Sequence, residues 1–131
     1  MTLRTSPATA LLALAGLVVV SCRAEAFVNR QARLMAHVVT SDGRAGVPCT
    51  ATALLFGETD AQAETVAGSD VVLTVGMTTP LKVQAPIRAR VALRVVCQGY
   101  GTVTTPDRET EVAATNPPKV EFGTISSPLL K

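Results

Sequence analysis

The segment from Ile87 to Gln98 reads as the best strand in the chain, because it alternates from end to end. Ile87, Ala89, Val91, Leu93, Val95 and Cys97 fall on one side of an extended chain, and Arg88, Arg90, Ala92, Arg94 and Val96 on the other. A helix would scatter these residues around its circumference. A strand sorts them into a core face and a face that carries three arginines. Val47 to Leu55 follows the same rule, with Val47, Cys49, Ala51, Ala53 and Leu55 opposed to Pro48, Thr50, Thr52 and Leu54. Two half-buried strands of this kind commit the chain to a sheet whose core face includes both Cys49 and Cys97.

The rest of the chain supplies more strands and the punctuation between them. Leu34–Thr40, Val71–Val75, Leu81–Ala85, Glu109–Ala114 and Lys119–Ser126 read as short strands, and Thr102–Thr105 continues briefly after the turn at Gly99-Tyr100-Gly101. Pro80 and Pro86 fence the third of these, which suits an edge position. Gly43 and Gly46 mark one turn, Gly99-Tyr100-Gly101 another, and Pro106-Asp107 and Asn116-Pro117-Pro118 two more. Phe56 to Asp70 keeps no period; it reads as an acidic loop with room for a helical turn near Asp60–Val66. About seven strands without a convincing helix predict an all-β fold, a single antiparallel Ig-like β-sandwich over 34–131, behind a lead-in or tether at 27–33.

The N-terminus reads as an export signal. Met1–Pro7 is polar with one charge, Arg4, and Ala8–Val20 is apolar. Thirteen residues are too few to span a bilayer, which needs roughly 17–25. Two cleavage readings stay open. Val19-Val20-Ser21-Cys22 resembles the lipobox of bacterial lipoproteins, in which the cysteine, here Cys22, is lipidated after removal of 1–21. With Arg23 rather than Asp next to it, that family's sorting rule points to the outer membrane. Ala24-Glu25-Ala26 is a small-x-small site that would remove 1–26 and release a soluble protein beginning at Phe27. Either cut leaves one even pair, Cys49 and Cys97, in an oxidising compartment. The expected disulfide bridges two strands across the core and closes a 48-residue separation, worth about 4 kcal/mol in the chain-entropy model.

Composition excludes more than it assigns. A net charge of +2, four aromatic residues and no Trp argue against nucleic-acid binding. A membrane partner enters only through lipid on Cys22. His37 is the one histidine and reads as a surface or structural residue. No HExxH, CxxC, calcium-loop register, glycine-rich phosphate loop or nucleophile elbow is present, so no metal, cofactor or catalytic residue is assigned. Arg88, Arg90 and Arg94 form a basic stripe. It either pairs with Glu109 and Glu111 on a following strand or docks an acidic protein or envelope polymer.

Three patches carry a family resemblance: Ser41-Asp42-Gly43-Arg44-Ala45-Gly46-Val47-Pro48, Val91–Val96 with Gln98-Gly99-Tyr100, and Val120-Glu121-Phe122-Gly123-Thr124-Ile125. They resemble the opening turn, the Gly-Tyr corner and the closing strand of carboxypeptidase-regulatory-like and transthyretin-like sandwich domains. The resemblance implies a non-catalytic accessory or binding module. The expected function is thus an exported cell-envelope binding or assembly module. An accessory subunit of a larger envelope complex is the alternative. A small hydrolase or enzyme inhibitor requires His37 to meet an acidic or hydroxyl side chain in a pocket.

Overall fold

The structure, a computed structural model, describes residues 26–130. Cys22 and both cleavage signals up to residue 25 lie outside the described residues. The described chain holds eight strands: β1 Phe27–Thr40, β2 Pro48–Leu55, β3 Glu58–Val66, β4 Ser69–Pro80, β5 Ile87–Cys97, β6 Thr102–Thr104, β7 Arg108–Val112 and β8 Lys119–Ser127. Two compact units divide it. The smaller takes in 26–28 and Pro80–Gln84; the larger takes in Asn29–Thr79 and the chain from Ala85 onward. In the smaller unit Leu81 N donates to Ala26 O and Val83 N to Pro80 O, so the strand expected at Leu81–Ala85 is a turn. The prolines that bound it, Pro80 and Pro86, have no N–H to give to a ladder.

In the larger unit two sheets carry the core. One has the order β4-β1-β8; the other runs β3-β2-β5, with β6 and β7 sharing the far side of β5. β7 pairs with Ile87–Val91 and β6 with Arg94–Val96. The pairing is antiparallel except between β1 and β8, which run parallel from Arg33↔Lys119 to Thr40↔Ser127. The lead-in expected at 27–33 belongs to β1. Gln31 exchanges backbone hydrogen bonds with Ala113, and Arg33 N donates to Pro118 O.

The acidic stretch is the largest correction. Glu58–Val66 is a strand paired with β2 over its whole length, not a loop or a helical turn. A one-residue slip between Ala53↔Ala61 and Leu54↔Thr59 hides its alternation, because a bulge shifts the period by one. At Ala67-Gly68 the chain changes sheets. Ala67 N bonds to Val47 O and Gly68 N to Val38 O, with Gly68 at φ +95°, a value that glycine adopts without strain.

Leu34 and Val38 of β1, Val75 of β4, and Val91, Leu93 and Val95 of β5 are wholly buried, beside Ala32, Ala51 and Ala53. The disulfide joins Cys49 to Cys97, but not across the core. The two cysteines are register partners on neighbouring strands, with Cα atoms 3.9 Å apart. Alternation reveals which face a cysteine takes, and only strand order reveals its neighbour. Ser127 then ties β8 to this corner: its Oγ accepts from Cys97 N and donates to Gly101 O.

The turn after β1 is clipped to the turn after β5. Tyr100 Oη lies 2.8 and 2.9 Å from the Asp42 carboxylate oxygens, and Thr40 Oγ1 donates to Asp42 Oδ1. The Tyr100 hydroxyl foremost, against some desolvation and with help from Thr40 and the Arg44 amide, holds the Asp42 carboxyl below its ordinary value. A depressed carboxylate stabilises the fold above the ordinary pKa of about 3.9, and this is lost as pH falls through the folded value. Tyr100→Phe is therefore expected to lower the melting temperature most at neutral pH, where the bond to the carboxylate is intact, and to flatten its fall below about pH 4. Thermal melts of both proteins across that range check this; parallel curves would count against the clip.

Candidate functional site

β5 displays the arginine face that its alternation predicts. Arg88, Arg90 and Arg94 are exposed, whereas Ala92 between them is 1% exposed. Ala92 lies opposite Leu54 of β2, itself buried, and Arg94 lies opposite Thr52 of β2 and Thr104 of β6. Arginine stems of this length shield small neighbours and keep their guanidinium groups in water. The result is a basic face on a close-packed floor, with Thr50 opposite Val96 and Gln62 opposite Thr52 extending it toward β3.

The three arginines are not equivalent. Arg88 Nη2 lies 3.4 Å from Glu109 Oε1 and its Nη1 3.9 Å from Glu111 Oε2. Both glutamates thus serve Arg88. Arg90 stands directly opposite Glu109 in register yet makes no ion pair among the described residues, and the same holds for Arg94. Cross-strand pairing accounts for Arg88 alone. Four residues of strand separate Arg90 from Arg94, about 13 Å.

Phe56 closes one end of the Arg90 row: its N–H donates to Arg90 O at 2.8 Å. With Gly57 it forms the two-residue turn from β2 to β3, at φ +52° and +83°. Asn-Gly is the usual choice for such a turn, and a bulky side chain at positive φ stores about 1–3 kcal/mol. Phe56 is half-exposed. Sequence reasoning missed it, because no apolar run follows Gly57 to mark the second strand of a hairpin.

His37 meets an acid that the sequence did not pair with it. Its Nδ1 lies 2.8 Å from Asp70 Oδ1, donating when Asp70 is ionised. The pair sits in a groove of about 290 Å³ with Met35, Val72, Glu121 and Thr124. Thr124 is the register partner of His37, but no hydrogen bond joins the two among the described residues. The Asp70 side chain is 82% exposed. An acid, an imidazole and a hydroxyl on three neighbouring strands resemble the parts of a relay, laid out on an open surface that does not exclude water.

Among the described residues no group of three His, Cys, Asp or Glu side chains could hold a metal ion, and no helix is long and apolar enough to cross a membrane. Comparison of the chain with protein-family models, curated proteins and solved structures gives no match.

Proposed function

We propose that this chain is an exported, non-enzymatic β-sandwich that acts as a binding or assembly module of the cell envelope, docking an acidic protein or polymer on the outer face of β5. The observation that carries this reading is the pair of exposed arginines, Arg90 and Arg94, on one face of β5 without an acidic partner among the described residues. The buried disulfide supports an oxidising compartment. In this reading the chain is anchored by lipid on Cys22 or released by cleavage after Ala26, and the intact mass of the mature protein separates the two. The resemblance to carboxypeptidase-regulatory-like domains supports an accessory role.

Poly-glutamate is a suitable first probe of the face. An exposed ion pair contributes up to about 1 kcal/mol, so losing two weakens binding about thirtyfold at low salt. Arg90→Glu with Arg94→Glu is expected to show that loss by titration calorimetry, with an unchanged melting temperature. Equal binding by the variant would return the face to ordinary surface.

The His37–Asp70 pair favours a second reading, a small hydrolase. Its openness to solvent weighs against this, because a relay gains most of its strength where water is excluded.

A further inference from the structure

We propose that the outer edge of β4 is a self-association site, where the strand pairs antiparallel with β4 of a second copy of this chain. β4 is an edge strand of its sheet. Gly76 N donates to Asp60 Oδ2 at 3.0 Å, and Asp60 belongs to β3 in the other sheet. The Gly76 amide therefore points away from β1. Backbone groups alternate along a strand, so Val72 and Thr74 present their N–H and C=O groups on that same free side.

This edge is unprotected compared with the others. Glu58, Asp60 and Glu64 charge β3, and β6 is three residues long. Arg108, Glu109 and Glu111 charge β7. β8 is bulged beside Gly123, and Arg108 Nη1 occupies its Glu121 carbonyl. From Val71 to Thr79 β4 carries no charge and no proline, and Val72 is half-exposed. Natural edges are blunted by charge, proline, bulges or shortness. Here a single Asp60 carboxylate on one amide stands in for all of these.

The sequence of the edge suits a copy of itself. A two-fold axis at Thr74 sets Val72 opposite Gly76 and Asp70 opposite Thr78, so no like charges meet. The same operation on β3 about Gln62 would set Asp60 against Glu64. A self-complementary edge gives a closed two-fold dimer, and the two three-stranded sheets become one of six. The Asp60 carboxylate competes with the partner strand for the Gly76 amide.

Sedimentation equilibrium of the purified protein tests this. The wild-type protein is expected to move from monomer to twice the chain mass as concentration rises. Thr74→Pro removes an outward N–H at an exposed edge position, where proline is tolerated. It is expected to sediment as a monomer with an unchanged circular dichroism spectrum. Val72→Lys, on an exposed side chain, gives the same result should the proline variant lose its fold. Asp60→Ala frees the Gly76 amide and is expected to tighten the dimer about fivefold, the net contribution of one hydrogen bond. A wild-type monomer at every concentration would overturn the proposal. So would a dimer that Val72→Lys leaves intact and Asp60→Ala leaves unchanged.

Discussion

Replacing both Cys49 and Cys97 by alanine is expected to lower the unfolding free energy by about 4 kcal/mol. The bridge spans a separation of 48 residues, and its removal restores that loop's freedom to the unfolded chain. Both cysteines are buried, at 2% and 1% exposure, so the alanines also lose packing at the corner that Ser127 and Tyr100 complete. For a domain of about 100 residues, 4 kcal/mol corresponds to a fall of roughly 16–32 °C in melting temperature. Urea unfolding of the variant, and of the native protein with and without reductant, measures the effect. Coincident transitions would mean that the register pairing of β2 and β5 holds the corner unaided.

Leu93→Ala is expected to cost about 3 kcal/mol, within the range for buried leucines. Leu93 is wholly buried on the inner side of β5 and stands opposite Ala53 of β2. An alanine neighbour has no side chain to swing into the space, and the branched valines around it are stiff at χ1. The cavity should therefore persist. Either change removes a large share of the 5–15 kcal/mol usual for a domain. Leu93→Ala also separates folding from docking: the arginines flanking it face outward, so binding to an acidic probe is expected to survive below the variant's melting temperature. Denaturant unfolding and calorimetry on the same sample read both quantities.

How far the fold was legible depended on unbroken alternation. β5 and β2 could be read almost to the residue because each keeps one face buried along its whole length. β3 could not, for two reasons. The bulge at Ala53/Leu54 resets its period, and its inward residues, Ala61, Ala63 and Thr65, are too small or polar to stand out from their neighbours. The same weakness hid the first third of β1, where Asn29, Arg30 and Gln31 are strand residues without an apolar face. The Leu81–Ala85 segment misled in the opposite sense: apolar alternation between two prolines ended in a turn.

The candidate site divides in the same way. The arginine stripe was legible because it lies on one strand, and so was the presence of Cys49 and Cys97 on a common core side. Partners were not legible. Asp70 lies 33 residues from His37 and Asp42 58 residues from Tyr100, and each pair meets only because the strands that carry them are neighbours. Nor did charge counting show that Glu109 and Glu111 would both turn to Arg88, leaving Arg90 and Arg94 exposed to water.

The amino-acid sequence by itself determined which residues of the regularly alternating strands, β2 and β5, face inward, because side-chain alternation is a local property of extended chain. It determined in this way the all-β class and the arginine face. Tertiary structure alone decided strand order, the parallel β1–β8 pairing and the change of sheet at Gly68. It also placed the disulfide within a sheet rather than across the core, and set β4 at the edge of its sheet. These depend on which strands lie side by side, and that choice is made by the summed packing and hydrogen bonding of segments far apart in the chain, which no local pattern records.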